Sequence, residues 1–357
     1  MSRVLASEYM HWAKTQSPAR FNLASSEVPH FRLDRFDISL AELEVDGASR
    51  YRYPDLRERI ARKNGVAPER VVMADGTSMA NMLAMAALIA PGDEVLIEHP
   101  AYEPMVATAQ FHGAEVRRFT RRGPAFALDP EVVEAALTDR TRLIVLTNLH
   151  NPTGNLADEA TMHAVGALAE RVGARVLIDE VYLDAAVPPE AGAAHLGDVF
   201  VTTSSLTKVH GLSGLRCGWI LAEPELAERM WRLNELFGVA QGHADERLSC
   251  IALDRLDEVD AGNAALLATN RDLANGFFAG CDDLEVAPMV NGITAFPRLL
   301  RGKVDDLHFL LRDQYDTAIV PGRFFGLADH FRIGVGGPTE MIEAALERLG
   351  AGLDALT

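Results

Sequence analysis

The sequence predicts an α/β fold: a mainly parallel, helix-covered sheet in a large domain, with a smaller α+β domain built from both chain ends. Two patterns carry this prediction. Between about residues 55 and 222 continuous apolar runs alternate with helix-like stretches, and after Pro224 a mostly helical region precedes a shorter mixture of strands and helices. Strands that are apolar throughout are buried on both faces, and their alternation with helices is typical of βα units.

The individual elements follow in chain order. The predicted strands of the sheet are residues 70–74, 94–98, 142–148, 175–179 and 198–204. Helices are predicted between them, for example at 79–90 and 159–172. Beyond about residue 278 the predicted elements are the segment ITAFPR, a helix from about Val304, the segments TAIVP and HFRIGVG, and a last helix from Thr339.

The length of the chain bears on its domain organisation. A chain of 357 residues, 48% of them apolar, exceeds what one compact core usually holds, so two domains are expected. The first 45 residues fit no βα pattern, and we expect them to pack with the C-terminal unit. The predicted large domain is therefore 46–270, and the predicted small, discontinuous domain joins 1–45 with 271–357.

The charge of the chain limits its partners. A formal net charge of −17 argues against nucleic acids and anionic membranes, because both bind positively charged surfaces. One basic run departs from this balance, and we interpret it as a solvated strand end: Arg117, Arg118, Arg121 and Arg122.

Cysteine usage and apolar stretches predict a cytoplasmic protein. The three cysteines are odd in number and widely spaced, so neither a disulfide framework nor a metal site is predicted: Cys217, Cys250 and Cys281. Residues 1–12 lack the apolar centre of an export signal, and the stretch 79–90 is too short to span a bilayer.

The most informative segment is SSLTKVHGLSGLRCGW, residues 204–219, which follows a predicted strand. A lysine that forms an imine must lose its proton, which requires a partly desolvated site or a cationic neighbour, and Lys208 is the candidate. The hydroxyls of Ser205 and Thr207 and the guanidinium of Arg216 would together bind a phosphate dianion. Taken alone, the same residues also fit an ordinary surface loop.

Polar residues end two further strands. In LIDEVY, residues 177–182, Asp179 ends an apolar strand and Tyr182 follows three residues later. A buried carboxylate needs a partner such as a protonated ring nitrogen. In NLHNPTGN, residues 148–155, a rigid turn leaves the amide of Asn151 able to donate. A helix-capping aspartate, a packed tyrosine and a simple turn are the structural alternatives.

Two earlier segments add a phosphate site and an aromatic ring. In DGTS, residues 75–78, backbone N–H groups and the hydroxyls of Thr77 and Ser78 stand at a predicted helix start, where phosphate binds readily. A plain capping role fits equally well. In HPAYEPM, Tyr102 could stack on a flat ring or pack as an ordinary core aromatic.

In this order and at these strand ends, the segments resemble the fold-type I pyridoxal-phosphate enzymes of the class I/II aminotransferase (aspartate aminotransferase) family. The resemblance is dense over residues 50–225 and is supported by VPGRFFG at 320–326 and FRIGVGG at 331–337. It implies pyridoxal 5'-phosphate as cofactor, transfer of an amino group between an L-amino acid and a 2-oxo acid, and a homodimer with shared active sites.

The resemblance also implies a role for each matching residue. Lys208 would carry the cofactor as a Schiff base (an aldimine), and Asp179 would pair with the pyridine nitrogen. Asn151 and Tyr182 would hold the ring oxygen, and Tyr102 would stack on the ring. The substrate α-carboxylate would bind Arg332, near Asn151. The residues implied as phosphate ligands are Thr77, Ser78, Ser205 and Arg216.

The chain departs from the family pattern at two places. The family's tyrosine that reaches the neighbouring subunit is matched only in the shortened RYRYPDLRERIA, where Tyr51 is the candidate and Tyr53 remains possible. The glycine expected near the substrate is not identifiable, since FNLASSEVP at 21–29 has serines there. An enzyme specific for dicarboxylic substrates would need a second arginine for the distal carboxylate of the substrate, and only Arg232 or Arg247 can be suggested for it.

Other protein classes would require further motifs or domains that were not identified in the sequence. Ser205 to Lys208 also fits the S-x-x-K motif of penicillin-binding proteins, but the companion strings K-T-G and S-D-N do not occur. A ligand-sensing regulator would need an added DNA-binding domain, and a dinucleotide enzyme would need G-x-G-x-x-G where this chain has DGTSMA. Within the family, a β-eliminating C–S lyase, a decarboxylase or a cyclising enzyme shares the same cofactor shell.

Overall fold

The computed structural model describes residues 6–46 and 50–356. Parts of the N-terminal stretch 1–12 and of the predicted small domain therefore lie outside the described residues. The helices are α1 Glu8–Thr15, α2 Pro54–Lys63, α3 Gly76–Leu88, α4 Glu103–Phe111, α5 Pro130–Ala136, α6 Glu159–Val172, α7 Pro224–Asn234, α8 His243–Asp254, α9 Leu256–Val259, α10 Asn263–Ala279, α11 Val304–Tyr315 and α12 Thr339–Ala355.

The strands include seven that form one central sheet. In chain order they are β1 Phe21–Asn22, β2 Val71–Asp75, β3 Glu94–His99, β4 Glu115–Thr120, β5 Thr141–Thr147, β6 Arg175–Asp179, β7 Phe200–Ser205, β8 Cys217–Leu221, β9 Leu284–Glu285, β10 Thr294–Ala295, β11 Arg298–Leu299, β12 Thr317–Ala318, β13 Val320–Pro321 and β14 Phe331–Gly334.

The central sheet has the order β2-β8-β7-β6-β5-β3-β4. Strand β8 runs antiparallel to both of its neighbours, and the other neighbouring pairs are parallel. Strands β5 to β8 are almost entirely buried, which agrees with their apolar sequences. The carboxyl ends of β2, β3, β5, β6 and β7 therefore meet at one edge of the sheet, and the predicted α/β class is confirmed.

Apolar clusters cover both faces of this sheet. The larger one packs α2, α3, α7 and α8 on one face, and a second one packs α5 and α6 on the other. A third cluster unites Leu23 with the C-terminal helices α10, α11 and α12. Phe36 belongs instead to the cluster under the large sheet. The domain boundaries at residues 45 and 270 stay a prediction.

Two details differ from the sequence predictions. Helix α3 begins at Gly76 rather than at residue 79, because the backbone turns immediately after β2 with Gly76 at a φ of 74°. The basic run is not wholly solvated: Arg121 is 3% exposed and pairs with the buried Glu98, while Arg122 is exposed. Among the described residues, no helix is long and apolar enough to cross a membrane.

Candidate active site

One cavity of about 550 Å³ opens at the carboxyl edge of the sheet. It is lined by residues from β-strand ends, from the N-terminal segment 22–27 and from β14. Of the residues predicted from the sequence, those that line it are Thr77, Ser78, Tyr102, Asn151, Asp179, Tyr182, Ser205, Thr207, Lys208, Arg216 and Arg332. The fold therefore brings together residues that are up to about 250 positions apart in sequence, as the shared edge of parallel strands requires.

Asp179 is a buried carboxylate on the cavity wall. Its Oδ2 accepts from Nδ2 of Asn81 at 2.8 Å, and its Oδ1 accepts from the backbone N–H of Val181 at 3.0 Å. Desolvation raises the pKa of this carboxyl to about 6, despite both hydrogen bonds. No described residue forms an ion pair with it, so the site favours a cation that comes with a ligand.

Asn81 is a site residue that the sequence reasoning missed. Its amide oxygen accepts from Oγ1 of Thr203 at 2.6 Å, which turns its NH₂ group toward Asp179. Asn81 lies one helical turn after Thr77, so both side chains share one face of α3. An isolated amide in an otherwise apolar helix was the available sequence signal.

The start of α3 has the features of an anion site. Oγ1 of Thr77 donates to Oγ of Ser205 at 2.8 Å, and the backbone N–H of Thr207 points to the same oxygen at 3.3 Å. The backbone N–H of Gly76 donates to the carbonyl of Arg216 at 2.7 Å, and Nη2 of Arg216 donates to the carbonyl of Asp75 at 3.0 Å. This guanidinium forms no ion pair in the described part of the chain, so its charge is available to an anion.

Gly218 explains how Arg216 comes so close to the helix start. A Cβ atom on Gly218 would lie 2.4 Å from the carbonyl carbon of Gly76, so only glycine at this position allows β8 to lie this close to the first residue of α3.

Lys208 lies beside the N-terminal segment. Its Nζ is 3.8 Å from Oε2 of Glu27, and its carbonyl accepts from the backbone N–H of Val28 at 3.0 Å. The hydroxyl of Tyr182 donates to Oγ of Ser26 at 2.8 Å. Residues 25–27, which the sequence left unassigned, therefore form part of the cavity wall next to the lysine.

Arg332 carries a buried guanidinium into the cavity from β14. It is 1% exposed, its Nη1 donates to Oδ1 of Asn151 at 3.2 Å, and its Nη2 donates to the hydroxyl of Tyr9 at 3.1 Å and to the carbonyl of Ala24 at 3.0 Å. Nε has no hydrogen-bond partner, and no carboxylate of the described residues pairs with Arg332. A structural ion pair, the alternative to ligand binding, is therefore absent from the described part of the chain.

Tyr102 lines the cavity above the end of β3. Its ring meets that of Tyr9 edge-on at 5.6 Å, and its hydroxyl lies 3.3 Å from Sδ of Met10. Burial and the neighbouring Tyr9 raise the pKa of the Tyr102 phenol well above its usual value. The ring is thus a neutral, fixed surface on the cavity wall.

A buried ion pair between Glu98 and Arg121 holds the turn that contains Asn151. Glu98 contacts Nη2 of Arg121 at 2.7 Å and accepts from both the backbone N–H and the hydroxyl of Thr147 at 2.7 Å. Oγ1 of Thr147 in turn accepts from the backbone N–H of Asn151 at 2.9 Å. Burial raises the pKa of the Glu98 carboxyl, and the charge of Arg121 opposes that rise. The pair therefore fixes the turn that presents Asn151.

The tyrosines considered for the neighbouring subunit do not line this cavity. Tyr51 is 45% exposed and its hydroxyl donates to Oε1 of Glu235 at 2.6 Å. Tyr53 is buried and its hydroxyl accepts from Arg247 at 2.9 Å. Arg232, the other suggested arginine, pairs with Glu235. Neither arginine reaches the cavity of its own chain.

The comparison with known families decides the assignment. The model of the aminotransferase class I and II family matches residues 23–349. The chain belongs to this family. Curated proteins similar to the chain include the capreomycidine synthase of Streptomyces vinaceus, which is 32% identical over 82% of this chain and 76% of its own. The arginine–pyruvate transaminase AruH of Pseudomonas aeruginosa is 28% identical over 82% of this chain and 79% of its own.

Solved structures have the same fold. A pyridoxal-phosphate-dependent aminotransferase of Streptococcus suis superposes with a TM-score of 0.91 at 22% identity and covers 100% of this chain and 99% of its own. The pyridoxal-phosphate-dependent cyclase OrfR superposes with a TM-score of 0.87 at 24% identity, covering 99% and 98%.

The predicted family, cofactor and enzyme class are thereby confirmed: the chain is a pyridoxal-phosphate-dependent aminotransferase. The side chains present also fit the cofactor. Within residues 6–46 and 50–356, the buried carboxylate of Asp179 has no cation paired with it, and the guanidinium of Arg216 has no anion. These are the charges that a pyridine nitrogen and a phosphate require.

Proposed function

We propose that the enzyme moves an amino group between an L-amino acid and a 2-oxo acid with Lys208 as the residue that binds the cofactor and Arg332 as the anchor of the substrate α-carboxylate. One observation carries the proposal. A single cavity holds a lysine, a buried carboxylate without a cation and a buried guanidinium without an anion.

Pyridoxal phosphate, when bound, supplies an electron-accepting ring that stabilises negative charge at the substrate Cα. Asp179 keeps a proton on the pyridine nitrogen by pairing with it, and Asn81 keeps the carboxylate in place. Lys208 is the basic group beside the substrate, and its amine takes the proton from Cα and returns it. These two residues and Tyr182 form the proposed catalytic set.

The remaining residues orient the cofactor. Thr77, Ser78, Ser205 and Arg216 bind the phosphate at the start of α3. Oδ1 of Asn151 accepts from Arg332, which leaves its NH₂ group to donate to the ring oxygen. Tyr182 donates to the same oxygen by exchanging its hydrogen bond with Ser26. Tyr102 packs on the ring.

Covalent attachment and the half-reaction test the proposal. Borohydride reduction of the yellow holoenzyme, followed by peptide mapping, should place the cofactor on Lys208. Lys208→Arg should be colourless or hold the cofactor without a covalent bond, with activity lost. Mixing the holoenzyme with each standard amino acid should change its visible spectrum as the amino group is transferred. Retained activity in Lys208→Arg refutes the assignment.

A second candidate function is cyclisation, because the pyridoxal-phosphate-dependent cyclase OrfR shares this fold. The same cofactor shell also serves β-eliminating lyases. A cyclase or a lyase would need no 2-oxo acid as a second substrate, because it would not retain the amino group of its substrate. Turnover with one amino acid alone, without accumulation of the aminated cofactor, would distinguish these enzymes from a transaminase.

The proposed assembly is a homodimer in which Tyr51 reaches the phosphate site of the second copy. Tyr53 is buried within its own chain, which leaves Tyr51 as the tyrosine free to do so. The hydrogen-bond partner of Tyr51, Glu235, is followed by an exposed apolar patch, here called the 236–239 patch: Leu236, Phe237 and Val239. Exposed apolar side chains in a group are typical of protein interfaces.

We also propose a cytoplasmic location. Cys217, Cys250 and Cys281 are free, and Cys217 and Cys250 are buried. Burial raises the pKa of both of these thiols to about 12, so they remain protonated and unreactive. Free thiols without disulfides suit a reducing compartment.

A further inference from the structure

The proposed function leaves one carboxylate of the cavity without a role. The charged side chains that line the cavity are Lys14, Glu27, Asp179, Lys208, Arg216 and Arg332. Asp179, Lys208, Arg216 and Arg332 bind the cofactor and the substrate α-carboxylate. Lys14 is exposed at the end of α1, on the rim. Glu27 is half-buried and lies beside Lys208.

Glu27 has only loose contacts with cations. Its Oε2 lies 3.8 Å from Nζ of Lys208, and its Oε1 lies 4.0 Å from Nε2 of His30, whose side chain is 66% exposed. Neither oxygen accepts a hydrogen bond from a described residue. A carboxylate that is 26% exposed and lacks a close donor retains most of its capacity to accept hydrogen bonds from a ligand.

The backbone holds Glu27 between the lysine and the carboxylate anchor. On one side, the N–H of the next residue, Val28, donates to the carbonyl of Lys208 at 3.0 Å. On the other side, a Cβ atom on Gly336 would lie 2.4 Å from the carbonyl oxygen of Glu27, so this backbone packs directly on the chain just after β14, the strand that carries Arg332. The position of Glu27 therefore does not depend on its contact with Lys208.

Lys208 cannot serve as the partner of Glu27 during the reaction. An amine that bonds to the cofactor or takes a proton from the substrate must be unprotonated, and an unprotonated amine no longer neutralises a carboxylate. A carboxylate near the reacting atoms then lacks a cation in a partly desolvated site, which is unfavourable. A cationic group on the substrate would restore the pairing.

We propose that Glu27 makes this enzyme selective for amino acids whose side chains end in a cation, a guanidinium or an ammonium group. The inference rests on the proposed function, because it assumes an α-carboxylate on Arg332 and a reacting Cα beside Lys208. Arg332 fixes one end of the substrate and Glu27 receives the other. A guanidinium should bind Glu27 more tightly than an ammonium group does, because its planar group can donate two parallel N–H···O hydrogen bonds, one to each carboxylate oxygen.

Arginine and citrulline form the matched pair of substrates that tests the proposal. They differ in that citrulline has a neutral urea group where arginine has a guanidinium. In the parent enzyme, kcat/KM for arginine should exceed that for citrulline on the order of 10- to 100-fold, the range that one charge-assisted contact supplies. In Glu27→Gln the ratio should fall to about one, through loss of the arginine reaction alone.

A binding measurement accompanies the rates. The compound 5-guanidinopentanoate has the carboxylate and the guanidinium but no amino group, so it binds without reacting. Its dissociation constant, measured by calorimetry on the holoenzyme, should rise in Glu27→Gln by the same factor as the arginine preference falls. Lys14→Gln, which changes the other unassigned charge of the cavity, should not raise it.

The outcomes separate the two proposals. If no amino acid changes the spectrum of the parent holoenzyme, the proposed function itself fails. If amino acids react but arginine is no better than citrulline, the selectivity is refuted while the function stands. If Glu27→Gln slows arginine and citrulline equally, Glu27 acts on Lys208 rather than on the substrate side chain, and the inference is overturned.

Discussion

Asp179 shows at the scale of one residue how the free enzyme is prepared for its cofactor. Its carboxyl is buried next to an amide and a backbone N–H but without a cation, and its pKa is raised to about 6. The charged form is thus disfavoured until a protonated nitrogen pairs with it. In the proposed site the cofactor would supply that nitrogen, so binding of the ring and ionisation of Asp179 would favour each other.

The raised pKa of Asp179 predicts that the free energy of unfolding of the apoenzyme depends on pH. A carboxyl whose folded pKa is raised binds its proton more tightly in the folded state, so stability is lost as pH rises from about 4 through about 6. The full loss amounts to about 3 kcal/mol for a shift of this size, and about 2 kcal/mol of it falls between pH 4.5 and pH 7.5. Urea unfolding of apoenzyme at pH 4.5 and 7.5 should show that Asp179→Asn lacks this part of the decline. An equal decline in both proteins would contradict the unpaired carboxyl.

The same substitution should affect catalysis more than folding. Asp179→Asn removes the charge that keeps the ring nitrogen protonated, so the rate of proton removal from Cα should fall on the order of 100-fold or more. Stopped-flow measurement of the half-reaction separates this rate from substrate affinity, which should change less. Comparable rates in the variant and the parent would exclude the proposed pairing.

Arg332 yields a prediction for substrate recognition. Arg332→Lys keeps the charge but loses the planar fork, so the apparent affinity for amino acids should fall on the order of tenfold or more. The affinity for amines without a carboxylate should not change, because these amines have no group that binds the guanidinium of Arg332. Spectral titration of the holoenzyme with both kinds of ligand gives the two affinities. An unchanged affinity for amino acids would mean that Arg332 has only a structural role.

Residues at strand ends were predictable, and residues behind them were not. Lys208, Asp179 and Asn151 follow buried strands, so the sequence pattern alone places them at one edge. Asn81 lies within a helix, and its orientation toward Asp179 depends on a hydrogen bond with Thr203 that joins residues 122 positions apart. No local pattern reports such a contact.

At the scale of elements, β4 shows where the sequence pattern fails. This edge strand mixes charged residues with two apolar ones and is largely exposed, so it lacks the continuous apolar run that identified its neighbours. The end of β4 leads to Arg121, which turns inward to Glu98 on β3. The residue that directly follows this exposed strand thus forms one half of a buried ion pair.

The β3–β4 ion pair predicts a difference between adjacent arginines. Arg121→Met leaves Glu98 buried without a cation and should reduce the free energy of unfolding by about 3 to 5 kcal/mol. Arg122→Met, at the exposed neighbouring position, should change it by less than about 0.5 kcal/mol. Denaturant unfolding of both apoenzymes measures the difference. Adding Glu98→Gln to Arg121→Met should recover part of the loss, and equal stability of the two single variants would refute the pairing.

At the scale of the whole molecule, the 236–239 patch predicts the assembly. Phe237→Glu places a charge in the proposed interface and should weaken the dimer on the order of tenfold or more. Leu300→Glu changes a similarly exposed residue of the C-terminal unit and should leave the dimer intact. Light scattering over a range of concentrations gives both dissociation constants. A fully active monomer would exclude the role of Tyr51 in a second copy.

The contact between Tyr9 and Arg332 joins residues that are 323 positions apart and closes the substrate side of the cavity. Part of the surface on which helix α1 and the following segment dock therefore forms only when β14 is in place. Contacts of such long sequence separation form late, because a long loop has to close first. The proposed phosphate ligands within one chain, by contrast, are all in place once β8 has joined the sheet. A refolding chain should thus bind its cofactor before it can bind an amino acid.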